Sequence, residues 1–442
     1  MKYHIIVFGC QMNISDSERV SAVLENIGYQ KASNALGADV SAEALAKADL
    51  IVVTMCSVRQ SAVDRVHGLV QKIKKLKAKS QKLKVVLTGC ILKKDKKIFV
   101  QGFDYVIDIK DIKKLPEILQ NPFTCKVSDR TLYKLDGYLD ITPKYTSKFS
   151  ANVPIMTGCN NFCAYCVVPY ARDREISRPA KKIISEVKNL IKGGYKEIWL
   201  LGQNVNSYSN VLENNRIVGF PKLLEMVNDI PGNFWIRFTS SHPKDFNDEV
   251  ISAMASYKKV TPYLNLPVQA GDNKVLRSMN RRYTVRDYKN KIKKLREKIP
   301  GIALSTDIIV GFPGETKKQF ENTAKLFREI KYDMAYINKY SPRAGTAASK
   351  LKDNVTTKEK KRREKALTKV LKQTALAKNR KIIGKTTNVL VDSKRNNFYF
   401  GKNDHYKTIK IISNKNLLGK LTKVKITDAS PFILKGKLTN EQ

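Results

Sequence analysis

Gly158–Pro179 reads GCNNFCAYCVVPYARDREISRP: three cysteines, Cys159, Cys163 and Cys166, lie within eight residues, and arginines follow. The whole chain of 442 residues holds only seven cysteines. A structural zinc site closes with four ligands, and an ordinary electron-transfer iron–sulfur cluster also takes four cysteines. A trio therefore raises the question of the fourth corner. Either His242 or a remote cysteine completes a zinc site, or three thiolates on a four-iron cluster leave one iron open to bind something else.

The trio begins just after VPIMTGC, the first of six short apolar strands. The others are EIWLLGQN, FWIRFTSS, PYLNLPVQ, IALSTDIIVGF and AYINKYS, separated by helical stretches such as PAKKIISEVKNLIKGG and VRDYKNKIKKLREKI. Strand–helix alternation implies parallel strands with right-handed crossovers. Six units predict a partial βα barrel rather than the full eight-stranded one. Barrel active sites lie at the carboxyl ends of strands, where this chain has Gln203, Asn204, Ser240 to His242, Gln269, Asp307 and Tyr340.

Towards the amino terminus, YHIIVFGC, ADLIVVTMC and LKVVLTGC are three more strands, ending on Cys10, Cys56 and Cys90. In an open parallel sheet these ends share one edge, so the three cysteines are expected to converge. SDSERVSAVLENIGY between them has helical spacing, with Ser15 as the expected N-cap. FDYVID and DIKKLPEIL close this unit near residue 120. Residues 121–150 read as an irregular linker, in which Cys125 is an incidental thiol. Beyond the barrel, residues 356–380 form a basic amphipathic helix. TTNVLVDS, NFYFGKND, YKTIKIIS and GKLTKVKITDAS then predict a small antiparallel barrel. The fold class is thus α/β. Its expected parts are an open parallel-sheet domain (1–122), a linker (123–150), a partial six-stranded βα barrel (151–375) and a small β-barrel (376–442).

Composition bounds the partners. Lys and Arg number 82 against 40 Asp and Glu, a formal charge of +42, which favours a polyanion such as nucleic acid. Hydrophobic residues make up 42%, enough for folded cores. No apolar run reaches the ~18–20 residues of a membrane span. The amino terminus turns polar too early for a signal peptide. Seven cysteines, an odd number, argue against a disulfide framework and for a reducing, cytoplasmic setting.

Cys159-x-x-x-Cys163-x-Tyr165-Cys166 resembles the signature of radical S-adenosylmethionine enzymes. The resemblance implies a 4Fe-4S cluster whose open iron chelates S-adenosylmethionine, with Tyr165 near the adenine. One electron then cleaves that cofactor to a 5′-deoxyadenosyl radical. GCQMN (9–13), TMCSVRQSA (54–62) and the Gly-Cys at 89–90 resemble the amino-terminal domain of the methylthiotransferases of this superfamily. LLGQNVNSY, FTSSHPKDF, LNLPVQAG, TDIIVGFPGET and YSPRAGT extend the likeness through the barrel, and the C-terminal segment resembles a TRAM domain, a small RNA-binding barrel. The family likeness implies a second 4Fe-4S cluster on Cys10, Cys56 and Cys90, again with one iron free.

GCQMN, CSVRQSA and GCNNFCAYCVVPYARDRE resemble the branch that methylthiolates N6-isopentenyladenosine at position 37 of tRNA. The resemblance implies two molecules of S-adenosylmethionine. One methylates a sulfur carried on the N-terminal cluster; the other yields the radical that takes hydrogen from adenine C2. Gln203, Asn204, Ser241, Gln269 and Asp307 are the expected cofactor contacts. Arg172, Arg174 and Arg178 are candidates for RNA phosphate or a cofactor carboxylate. Lys402, Lys407 and Lys410 with Phe398, Tyr399, Phe400 and Tyr406 are candidates for charge and stacking on an unpaired anticodon loop. The expected partners are the tRNA anticodon stem-loop and an external reductase, with a monomeric protein and no membrane. The chain departs from the branch at Met55, Ser57 and Asp173, where Thr, Ala and Gly are usual. The alternatives are methylthiolation of N6-threonylcarbamoyladenosine 37 and a non-catalytic iron–sulfur RNA-binding redox regulator.

Overall fold

The N-terminal apolar runs form five strands: β1 (Lys2–Phe8), β2 (Gln30–Lys31), β3 (Leu50–Cys56), β4 (Lys84–Cys90) and β5 (Tyr105–Val106). All pair in parallel, in the order β2-β1-β3-β4-β5. β3, LIVVTMC, is buried at every position, as a strand covered on both faces must be. The strand order reverses between β1 and β3, which places the ligand crevice at their carboxyl ends. The structure is a computed structural model and describes residues 1–32, 41–80, 82–120, 137–212 and 214–439. Cys125 and the expected linker as far as residue 136 lie outside the described residues.

Helix α1 (Gln11–Asn26) leaves β1 directly, with Cys10 as its N-cap. Ser15 is therefore not the cap expected from sequence. Asn13 Oδ1 accepts from the Cys10 amide (3.3 Å), so the first turn closes earlier, and the Ser15 hydroxyl donates instead to the Asn152 carbonyl (3.3 Å). Apart from Ile14, α1 is buried from Met12 to Leu24, including Asn13, Asp16, Glu18 and Arg19. Its polar face is covered by the next domain rather than by water.

That domain holds β6 (Ser150–Pro154), β7 (Glu197–Leu201), β8 (Trp235–Phe238), β9 (Tyr263–Asn265), β10 (Ala303–Val310) and β11 (Met334–Lys339). They form two three-stranded parallel sheets, β8-β7-β6 and β9-β10-β11, which meet at an Ile236–Val260 bridge. This is the six-stranded partial barrel the alternation predicts, with β6 and β11 as its outer edges. α1 packs along β6. Helix α2 (Thr357–Arg380) packs on β11 and adds Leu367 and Leu371 to the barrel's core.

The last segment closes a barrel of β12 (Thr386–Arg395), β13 (Phe398–Asn403), β14 (Thr408–Ile412), β15 (Leu421–Ala429) and β16 (Ile433–Leu438), in the order β12-β13-β14-β16-β15. The expectation of a purely antiparallel barrel is corrected, since β14 and β16 pair in parallel. A closed ring of five strands cannot alternate direction all the way round, so one neighbouring pair must run together.

Candidate functional site

Three strand ends and one loop build the site. Cys56 and Cys90 close β3 and β4 as direct cross-strand partners, and Cys10 follows β1 as the N-cap of α1. Asn13, one turn into α1, spans the trio: its Oδ1 accepts from Cys10 Sγ (3.5 Å), and its Nδ2 donates to Cys90 Sγ (3.7 Å) and the Met55 carbonyl (3.2 Å). Gly89 takes a left-handed φ of +113°, and a Cβ there would lie 2.3 Å from the Met55 carbonyl oxygen. Only glycine lets the two strand ends approach this closely.

Cys159, Cys163 and Cys166 lie in the loop that connects the paired strands Met156–Thr157 and Ile176–Ser177. Gly158 anchors that loop, because a Cβ on it would meet the Arg174 carbonyl oxygen at 2.0 Å. Asp173, at φ +61°, holds the left-handed backbone where the family usually has glycine. Asp tolerates this region better than most residues, and here its carboxylate pairs with Lys110 of the N-terminal domain. Burial pushes the thiols of Cys10 and Cys159 up and that of Cys166 up to about 12. In the Cys56–Cys90 pair, Cys56 is lowered by a hydrogen bond from Cys90, which is raised in turn.

All six cysteines line a single cavity of about 670 Å³ between the two domains. All six are free of disulfides. Among the described residues, no three His, Cys, Asp or Glu side chains converge on a position for one ion. Two sets of three soft thiolates suit iron–sulfur clusters by the chemistry of their donors. The barrel wall adds Gln203, Ser241, Gln269 and Asp307, as the sequence predicts, with Tyr165 from the cysteine loop. Ser240 (φ +64°) and Gln269 (φ +68°) hold strained backbone at these strand ends, a common feature of ligand sites. Burial raises the Asp307 carboxyl, while Asn265 Nδ2 donates to it at 3.2 Å.

Gln203 Oε1, Asn204 Oδ1, Asn206 Nδ2, Ser241 Oγ and His242 Nε2 are buried without a hydrogen-bond partner. Buried polar atoms are almost always satisfied, so the three of these residues that line the cavity, Gln203, Ser241 and His242, mark room for a polar ligand. His242 is neutral, its pKa pushed down to about 2 by burial first and then by the nearby Arg281 and Lys244 charges. Its Nδ1 accepts from the Lys244 amide (3.1 Å), which leaves Nε2 as the N–H donor on the cavity wall.

Other residues fall elsewhere. Asn204 does not line the cavity; its Nδ2 donates to Asp245 (2.8 Å). Tyr340 is buried against the Ala348 carbonyl. Arg172 and Arg178 do not face solvent, contrary to the expectation of contact with RNA phosphate or a cofactor carboxylate: Arg172 pairs with Asp16 across the domain interface, and Arg178 pairs with Glu186 (2.5 Å) within the barrel domain. Arg174 stacks over Phe162 at 4.4 Å. Tyr406 reaches the barrel cavity and packs on Trp199 (5.0 Å) and Tyr263 (4.7 Å). Lys407 bonds Asp333 (2.6 Å) and Asn379 (2.8 Å), and Tyr399 is buried. Lys410 over Phe398 (3.3 Å) keeps a partly exposed cation and ring together. Sequence reasoning missed Arg281, which is buried and donates to Cys163 Sγ (3.5 Å) and the Pro267 carbonyl (2.7 Å). Nothing in RSMNRRYT distinguishes it from its surface neighbours.

Residues 153–327 match the Radical SAM superfamily, and residues 2–108 match the uncharacterized protein family UPF0004. A tRNA-2-methylthio-N(6)-dimethylallyladenosine synthase of Caldicellulosiruptor saccharolyticus is 40% identical over 99% of this chain and 92% of its own. One from Carboxydothermus hydrogenoformans is 39% identical over 99% of both chains. Among solved structures, the radical S-adenosylmethionine methyltransferase TsrM from Kitasatospora setae aligns with a TM-score of 0.56 at 14% identity, covering 79% of this chain and 77% of that one. The cobalamin-dependent radical enzyme OxsB aligns at 0.54 and 9% identity, over 84% and 55%. These two share the fold. Identity near 40% along the whole length carries more, and by it the chain belongs to the radical S-adenosylmethionine methylthiotransferase family.

Proposed function

We propose that this protein methylthiolates C2 of N6-isopentenyladenosine in tRNA, with one 4Fe-4S cluster on Cys159, Cys163 and Cys166 and a second on Cys10, Cys56 and Cys90. The observation that carries the reading is the single cavity lined by both cysteine trios, in a chain 40% identical along its length to a synthase named for that product. When bound, the clusters and S-adenosylmethionine supply the reducing electron, the hydrogen-abstracting radical and the methylthio group.

The chain's own residues prepare the space. The raised thiols of Cys10, Cys159 and Cys166 must give up protons when metal binds, so loading is favoured at higher pH. Gln203 offers an acceptor, His242 Nε2–H a donor and Ser241 Oγ either role to a polar cofactor. Tyr165 is partly buried beside the last cysteine, where its ring shields the cluster's flank from water. Trp199, Tyr263 and Tyr406 form an aromatic floor suited to a flat base. The C-terminal barrel adds partly exposed cation–ring pairs at Lys410–Phe398 and Arg395–Phe400, which suit single-stranded RNA. We take residues 1–122, 151–375 and 376–442 as the three working units.

Mass spectrometry of tRNA nucleosides from a deletion strain tests the substrate. Loss of the methylthio-isopentenyl nucleoside, restored by the gene, is the expected outcome. Loss of the threonylcarbamoyl counterpart instead would replace this reading with the alternative one.

A further inference from the structure

Arg172 stands six residues after Cys166, yet its guanidinium lies at the N-terminal trio. Nε donates to Cys90 Sγ at 2.8 Å, one terminal nitrogen donates to the Tyr138 hydroxyl at 3.1 Å, and the other pairs with Asp16 of α1. The residue is 2% exposed. Three partners from three segments thus satisfy one rigid fork of donors, a geometry that lysine cannot reproduce. The neighbouring Asp173 is tied to Lys110 of the same domain, which keeps the loop seated. Arg281 stands in a comparable relation to Cys163 of the other trio, at 3.5 Å.

We propose that Arg172 is a positioning residue for the N-terminal cluster: lent by the barrel loop, it holds the Cys90 sulfur and sets that cluster's reduction potential. This rests on the reading that Cys10, Cys56 and Cys90 hold a cluster. Hydrogen bonds to cluster sulfurs and buried charge are the protein's main means of tuning such potentials. An N–H···S bond and a buried cation both stabilise the reduced, more negative state and so raise the potential.

The test uses the full chain with Cys159, Cys163 and Cys166 replaced by Ala, so that only the N-terminal trio can load. This parent, Arg172→Gln and Arg172→Lys are reconstituted anaerobically with iron and sulfide. Iron per chain is measured, together with the midpoint potential by redox titration followed by electron paramagnetic resonance. The parent should hold about four irons. Arg172→Gln should shift the potential to more negative values, and Arg172→Lys, which keeps the charge but not the fork, should lie between them. If Arg172→Gln does not fold by thermal melting, Arg172→Lys decides alone by the same shift. An unshifted potential in folded, iron-loaded variants overturns the role of Arg172 and leaves the cluster standing. A parent that binds no iron overturns the cluster reading itself.

Discussion

Glu18 illustrates how much a single buried carboxyl costs at the domain interface. It is 4% exposed; Oε1 accepts from the Thr146 amide (3.0 Å), while Oε2 has no partner. Burial, the largest cause, raises its pKa from 4.5 to about 7. The protonated form is therefore favoured in the folded state. Its contribution to stability is fully present below about pH 4.5 and is lost as pH rises through about 7. The difference corresponds to about 3 kcal/mol. Glu18→Gln should remove most of this loss, so that melting temperature falls less between pH 5 and pH 8 than in the parent protein. Parallel melting curves for the two proteins across that range would refute the assignment. At Asp173 the opposing effects are smaller: left-handed strain of about 1–2 kcal/mol is offset in part by the ion pair to Lys110.

At the scale of elements, the close approach of β3 and β4 is what brings Cys56 and Cys90 side by side. Gly89→Ala places a methyl 2.3 Å from the Met55 carbonyl oxygen, so the strand ends must separate. The barrel trio lies on a different element and is untouched. Anaerobically reconstituted Gly89→Ala should therefore hold about four irons per chain against about eight for the parent. Retention of eight would show that the strand ends can part without losing the site. The hairpin between β13 and β14 has a similar local specificity. Tyr406 takes a φ of +58°, which aims the hairpin's tip at Trp199 and Tyr263 rather than at solvent.

For the whole molecule, the decisive contacts cross domain boundaries. Arg237 of β8 is fully buried and donates to Glu197 (2.6 Å) and to the carbonyls of Asn403 (2.6 Å) and Asp404 (2.8 Å). Arg237→Ala would leave Glu197 Oε1 and the two carbonyls without this donor. It should destabilise the protein by about 3–5 kcal/mol in denaturant unfolding, and a loss under about 1 kcal/mol would contradict the role. The formal charge of +42 predicts binding dominated by phosphate. The affinity for tRNA should fall by at least about a thousandfold between roughly 50 and 200 mM salt. A flat salt dependence in a filter-binding or fluorescence titration would mean that the charge serves another purpose.

The sequence by itself determined the elements that carry their own pattern. The six barrel strands, the three cysteine-tipped strands and the compact trio Cys159, Cys163 and Cys166 all follow from spacing within short segments. Gln203, Ser241, Gln269 and Asp307 were legible because a parallel strand must end at the same rim as its neighbours. Only the tertiary structure decided which polar faces are hidden. SDSER in α1 is wholly polar, yet all five of its residues are buried. Arg172 and Arg178 read as ligands of RNA phosphate or a cofactor carboxylate, yet their partners Asp16 and Glu186 are brought to them by folding. Tyr406 and Lys407 read as an RNA surface, yet a left-handed residue and a docked domain turn them inward. Periodicity reports how one element meets its own layer. What covers its far side depends on contacts remote in sequence, and a buried arginine or tyrosine is spelled the same way as an exposed one.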